Sequence, residues 1–366
     1  MKMKRFTIIT AAAALLSLGA KAQTEVAAYT PGLTEDGITY FLPTTSLRVV
    51  LTATKTHHTP GEFCEYAERY LRLKDVPQAA YDTWTIDDVK IVPYGVADKS
   101  KAYSIKFKQK TSAPYVSLTN DGRLLSVNAK SSVNDEQLPV ASVTKVQQKT
   151  VNGADFKTEE ILSAGSTAKM AELAANEIYD IRENRGLLTK GQADFMPKDG
   201  EQLKLMLANL DTQEDGLMQL FRGSASSETH VVVFDVTPTQ DIDRQVVFNF
   251  SKYLGVVDAD DPAGTPVYIS VKDQKSLPEV VAAEANGKAK KEVADLRYAT
   301  PGRALVKVFS ADKEFVSQSV PMAQFGRVEH LGGELFNKKT TTHVQLSPVT
   351  GGIVKIEAEC FPAAEA

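Results

Sequence analysis

The spacing of apolar residues along this chain changes twice. Over residues 38–128 they alternate in short runs, over 158–223 they recur every three or four positions, and from 229 onward the alternation returns. The middle stretch predicts two helices. Met170, Leu173, Ala174, Ile178 and Ile181 line one face of the first. Arg182, Arg185 and Gly186 predict its end, since cations suit the negative end of a helix dipole and glycine takes a left-handed cap without strain. In the second helix Asp199 is the expected N-cap, Gln202 is placed to complete a capping box, and Gly223 closes the helix. Its stripe runs Leu203, Met206, Leu207, Leu210, Leu217 and Phe221, so Leu207 is expected to be buried. Gly216 inside the stripe predicts a kink or break, at a cost of about 1 kcal/mol against alanine. The short connection between the helices, with Gly191 and Pro197, makes them an antiparallel pair.

Ahead of this pair, residues 38–42 and 47–54 read as strands joined by a hairpin turn at Pro43-Thr44-Thr45-Ser46. Further strands are expected at 84–93, 102–108, 115–118 and 124–127, the last two turned by Asn120-Asp121-Gly122. Thr59-Pro60-Gly61-Glu62 is a capping box with proline in the first helical position, and it predicts a helix with Phe63, Tyr66, Ala67, Tyr70 and Leu71 buried. Residues 129–157 lack a steady period and read as a long connection with a short strand near 140–146. Beyond the pair, strands are expected at 230–236, 245–250, 266–271, 304–309, 315–321, 343–346 and 353–358, with a polar loop over 272–295. Tyr40, Pro43 and Leu47 have the spacing of Tyr298, Pro301 and Leu305, and Asp121-Gly122-Arg123-Leu124 resembles Thr350-Gly351-Gly352-Ile353. Duplication and coincidence both account for this echo. Two helices present more apolar surface than they can hide from each other, and the flanking strands are the material that would cover it. The expected fold is therefore α+β, two β-rich modules flanking a central antiparallel helical pair. Its parts are an N-terminal β-rich module with one helix (23–128), a connection (129–157), a helical hub (158–223) and a C-terminal β-rich module (224–366).

Residues 1–22 stand apart. Lys2, Lys4 and Arg5 precede an apolar run over 6–18 and then Ala20-Lys21-Ala22, the layout of a secretory signal peptide cleaved before Gln23. The run is short for a membrane anchor, and no cysteine follows it as lipoprotein processing would require. No later stretch has the length and apolarity of a membrane helix, so the expected product is exported, periplasmic or extracellular, and soluble. With Lys2, Lys4, Arg5 and Lys21 removed, the formal charge moves from −4 to −8. That mildly acidic balance argues against nucleic acid or anionic lipid as partner. The two cysteines, Cys64 and Cys360, permit one disulfide, while a small buried apolar role suits Cys64 equally.

Familiar catalytic and cofactor motifs are missing. The chain has no G-x-S-x-G elbow, no H-E-x-x-H pair, no P-loop and no G-x-G-x-x-G, so neither cofactor nor metal is expected. Among the five histidines only His57 and His58 lie near other ligand types, Glu62 and Cys64, and adjacent strand residues point to opposite faces. Asp258-Ala259-Asp260-Asp261 with Gly264 offers oxygens but lacks the ligand order of an EF-hand, and reads as a solvated acidic turn. Glu183, Asp211, Glu214 and Asp215 sit near Arg182 and Arg185. Acid–base carboxylates of a glycoside hydrolase need no local motif, but ion pairing on helix surfaces explains these residues as well. The single Trp and more than half of the 12 Tyr fall within 38–128. Tyr40, Trp84 and Tyr94 are the candidate ligand-binding residues, as a stacking platform for sugar or peptide, against the plainer role of filling cores and strand surfaces.

Several segments together resemble a family. They are Ile38-Thr39-Tyr40-Phe41-Leu42-Pro43, Tyr66-Ala67-Glu68-Arg69-Tyr70-Leu71, Pro93-Tyr94-Gly95, Ile181-Arg182-Glu183-Asn184-Arg185, Asp199-Gly200-Glu201, Leu220-Phe221-Arg222-Gly223 and Ala323-Gln324-Phe325-Gly326. Their set and order resemble exported proteins of Gram-negative gut bacteria classed as domain of unknown function 4831. The resemblance implies an address and an organisation, and no activity. One departure is Asn249-Phe250-Ser251, where the family pattern leads one to expect an arginine before Phe-Ser. The functional expectation is a non-catalytic cell-envelope protein that binds another envelope component or a glycan. The alternative is a glycan-directed hydrolase with paired carboxylates.

Overall fold

The stretch expected to fold back at Pro43 is one strand, β2 (Gly37–Thr59), paired along its length with β3 (Tyr81–Ile105). This computed structural model describes residues 33–34, 37–105, 115–130, 137–145, 151–278, 296–331 and 340–360. In place of a hairpin turn there is a bulge: β2 steps from Phe41 to Pro43 while β3 steps from Ala102 to Ala97. Thr45 and Ser46 stay in the strand because both find partners while buried. The Thr45 amide donates to Gln324 Oε1 at 3.1 Å, and the Ser46 and Thr237 hydroxyls lie 2.8 Å apart. At about 3.3 Å per residue, β2 spans on the order of 70 Å, long enough to serve three cores in turn.

The largest core is a sandwich. Sheet I runs β3-β2-β7-β6, with β7 at Ser224–Val236, β6 at Ser142–Lys145 and β1 (Leu33–Thr34) beside the start of β2. Sheet II runs β12-β11-β10-β8-β9, from Ile242–Ser251 (β8), Gly255–Val257 (β9), Thr265–Asp273 (β10), Leu296–Phe309 (β11) and Glu314–Leu331 (β12). Alternate residues Leu47, Val49, Leu51 and Ala53 of β2 meet Val267, Ile269 and Val271 of β10 and Ala304, Val306 and Val308 of β11. Each fully buried Val, Leu or Ile there contributes about 1.5–3 kcal/mol, before the entropy of ordering it.

Sheet III runs β14-β13-β5-β4, from Val116–Leu118 (β4), Leu124–Val127 (β5), Thr340–Leu346 (β13) and Ile353–Cys360 (β14). It covers the first residues of β2 and β11 through Tyr40, Leu42, Leu124, Val127, Leu296, Val344 and Leu346. The β11–β12 hairpin repeats the bulge of β2–β3: Thr300 to Gly302 on one strand stands against Arg327 to Met322 on the other. The internal echo is therefore a shared register device, one residue out of the Tyr40–Tyr298 spacing, since Pro43 corresponds to Gly302. The two β-rich stretches do not close separate sheets. β7 pairs with β2 from Leu47 to Thr59, and β5 pairs with β13, because neither hairpin can cover its apolar face from its own segment. The fold is mostly β, with three antiparallel sheets and few helices, which is compatible with the expected α+β class.

The helices gather at the far end of β2. α1 (Ala67–Leu71), α2 (Glu159–Leu162), α3 (Thr167–Lys190) and α4 (Gly200–Arg222) share a core of Phe63, Ala67, Leu71, Ile161, Ala174, Ile178, Ile181, Leu217 and Phe221. The expected capping box at Thr59 does not form. Thr59 still belongs to β2, a 3-10 turn at Cys64–Tyr66 leads into α1, and Glu62 instead pairs with Lys157 at 2.5 Å. α3 runs past Gly186 to a left-handed cap at Gly191, with Leu188 buried beyond the predicted end. α4 is not broken at Gly216. A Cβ there would stand 2.4 Å from the Phe156 ring, so the glycine admits that ring. Asp199 caps α4 as expected, accepting from the Gln202 amide at 2.7 Å. The buried residues of α4 all lie at 216–221, and Leu207 is only half-buried, because the tips of α3 and α4 extend beyond the shared core.

Candidate functional site

The three aromatic candidates occupy three different places. Tyr40 is 1% exposed, and its hydroxyl accepts from the Arg297 amide at 2.8 Å and donates to the Arg297 carbonyl at 2.9 Å. Burial pushes the Tyr40 hydroxyl far above its usual range. It is a core tyrosine and presents no surface to a ligand. Trp84 lies on the inner side of sheet I. A Cβ on Gly255 would stand 2.7 Å from its ring, the His230 ring is 4.7 Å away and Lys55 Nζ 5.9 Å away. Tyr94 is on the opposite side, with the Arg48 guanidinium 5.4 Å from its ring and Arg48 bound to Asp235 at 2.7 Å. They form no common platform. A bulge between Thr52 and Ala53 flips the face of β3 between Trp84 and Tyr94, and sequence spacing does not reveal it.

The carboxylates beside the helices cross-link them. Glu214 of α4 accepts from Arg182 Nε at 2.7 Å through one oxygen and from Arg185 Nη1 at 2.7 Å through the other. Arg185 also reaches Asp211 at 3.0 Å, and its hydrogen bond to Asp211 and the charge of Glu214 raise its pKa. Glu183 and Asp215 are exposed on their helices. With both Glu214 oxygens committed to guanidinium groups, this cluster serves to hold α3 to α4.

Around Trp84 the ionisable groups pair among themselves. His57 Nδ1 is 2.6 Å from Asp82, Lys55 is 3.0 Å from the same carboxylate, and Glu228 is 3.6 Å from His230 Nε2. Hydrogen bonds from His57 and Lys55 hold the Asp82 carboxyl below its usual range. His58 stacks on Tyr81 at 4.5 Å, so the adjacent histidines point apart. Cys64 is a free thiol. Among the described residues no three His, Cys, Asp or Glu converge on a metal position. At the acidic turn, the Asn249 amide donates to the carbonyls of Asp258, Ala259 and Asp261. That residue stands where an arginine was expected, and its side-chain N–H groups serve the carbonyls of the turn.

Sequence reasoning passed over the outer face of sheet II. Because Ala304, Val306 and Val308 point into the sandwich, Leu305, Lys307 and Phe309 point out. With Ser270 they floor an open depression of about 510 Å³. Two ion pairs line it, Lys272–Asp243 at 3.0 Å and Lys307–Glu314 at 2.8 Å. Beside the depression, the Arg244 guanidinium lies 4.5 Å from the Tyr268 ring and 5.7 Å from the Phe309 ring. The alternation in Ala304-Leu305-Val306-Lys307-Val308-Phe309 was the available signal. A second depression of about 430 Å³ lies near the tips of α3 and α4, lined by Leu187, Leu188, Phe195, Met206 and Leu210. It is the more apolar of the two, and Phe195 is 68% exposed.

The family segments map to fixed points of this frame. Gln324 bonds both ways with Thr45 and donates to the Pro238 carbonyl at 2.7 Å. Arg123 binds Asp121 and the Pro348 carbonyl, directly over Gly95. These residues join the three sheets. Arg182 and Arg185 join the two long helices. Among the described residues no helix is long and apolar enough to cross a membrane, and residues 1–22, read as a signal peptide, lie outside the described residues. No curated protein and no solved structure matches this chain. Residues 36–354 match the family described as a domain of unknown function (DUF4831), and the chain belongs to that family.

Proposed function

We propose that this chain is an exported, non-catalytic protein of the cell envelope and that the depression on sheet II binds a glycan. The observation that carries the site is its composition: an aliphatic and aromatic floor, with ammonium and carboxylate groups around it, on a rigid sandwich face. Sugar rings stack on apolar floors, and such groups offer both donors and acceptors to hydroxyls. The hydrolytic alternative gains no support from Glu214 and Asp211, which are paired with Arg182 and Arg185. Export rests on the charged, apolar and Ala20-Lys21-Ala22 segments in succession.

A glycan array and titration against bacterial and dietary polysaccharides test the site. Phe309→Ala and Lys307→Ala are expected to weaken binding at least about tenfold, the scale of one lost anchor in a small interface. The same panel is assayed for turnover with Glu183→Gln, Asp211→Asn and Glu214→Gln alongside. Turnover abolished by one of these, with the fold intact, would establish the hydrolase instead. Intact mass of protein from a native periplasmic fraction should begin at Gln23, and a mass that retains residues 1–22 would refute export by cleavage.

A further inference from the structure

Sheet III ends at β14, and among the described residues no strand pairs with its far side. Ile356 stands opposite Val344 and Ala358 opposite Thr342, so both face the third core, where Val344 is fully buried. Yet Ile356 is 46% exposed and the neighbouring Val354 62%. The core stops one strand short of the sheet. On the other face Lys355 and Glu357 sit two residues apart, paired at 2.7 Å. An edge strand with one apolar face and an open row of backbone groups is a template for another strand.

We propose that β14 pairs antiparallel with β14 of a second copy of this chain, about a two-fold axis at Ile356, merging two four-stranded sheets into one. Charge selects that register. An axis at Lys355 sets lysine against lysine, and an axis at Glu357 sets glutamate against glutamate. An axis at Ile356 sets Lys355 of each copy opposite Glu357 of the other, twice, as an isologous contact requires. The same register brings the two Ile356 side chains together on the core face and places Val354 opposite Ala358. A single strand pair buries less than the roughly 1,600 Å² of a standard interface, so association is expected in the micromolar range.

Sedimentation velocity on the full exported chain over about 1–200 μM tests this, with the expected result a monomer–dimer equilibrium. Lys355→Glu alone and Glu357→Lys alone should each weaken association at least about tenfold, since each turns two attractive pairs repulsive. An equimolar mixture of the two variants should associate again, because every cross-strand pair is then opposite in charge. Loss of the pair within one strand cannot produce that recovery. Circular dichroism and melting confirm that both variants fold. A wild type that stays monomeric throughout, a dimer untouched by either substitution, or a mixture that fails to recover each overturns the proposal.

Discussion

At the scale of single residues, the sharpest constraints lie where the three sheets meet. A Cβ on Gly95 would stand 2.0 Å from the Pro348 carbonyl oxygen and 2.4 Å from Arg123 Nη1. A backbone oxygen cannot swing aside as a side-chain tip can, so Gly95→Ala should cost about 1–3 kcal/mol, read as a lower urea midpoint. Beside it, burial acts to raise the Asp121 carboxyl, but bonds from the Thr119 hydroxyl, Arg123 and the Ala97 amide outweigh it and hold the pKa down. A carboxyl depressed in the folded state adds stability above its unfolded pKa, near 4, and loses it as pH falls through the folded value. Asp121→Asn should therefore lower stability at neutral pH and flatten its fall below about pH 4, measured by denaturation across that window. Pro93-Tyr94-Gly95 was legible as a motif from the sequence. Its reason was not, because Pro348 and Arg123 are distant in the chain and only folding brings them over the glycine.

At the scale of elements, periodicity located the two long helices and most strands, and burial then divided them unequally. The stripe of α4 reads evenly from Leu203 to Phe221, but Phe221 is fully buried and Leu207 only half-buried. Phe221→Ala should cost about 3–5 kcal/mol and Leu207→Ala under about 1 kcal/mol in chemical denaturation. Equal losses would mean that the tips of α3 and α4 are as well packed as their bases. Spacing alone cannot distinguish the two residues, since the pattern fixes which face is apolar and not how far along it a partner extends. Pro43 misled for a related reason. Proline and two threonines mark turns, but a bulge answers the same local geometry when buried hydroxyls find partners across the sheet.

At the scale of the molecule, sheets I and III both draw strands from distant parts of the chain. Residues 37–128 expressed alone lack β7, sheet II and β13, so Leu47, Val49 and Leu51 have nothing to cover them. That fragment should fail to fold, giving poor amide dispersion by NMR and no cooperative melt. A cooperative transition would show the N-terminal stretch to be an independent module.

By itself the sequence determined the presence of the two long helices, the N-cap at Asp199, the paired arginines of α3 and the family. Each of these is written in neighbouring residues or in a short period, and local physics reads it directly. The tertiary structure alone decided that Tyr40 is core, that Trp84 and Tyr94 face opposite ways, and that Glu214 is a cross-link. It alone assembled the depression from Asp243, Ser270, Lys307 and Phe309. Those outcomes depend on which strands become neighbours and on single-residue bulges. A one-residue shift in register reverses every side chain beyond it, and no local pattern in the chain records that shift.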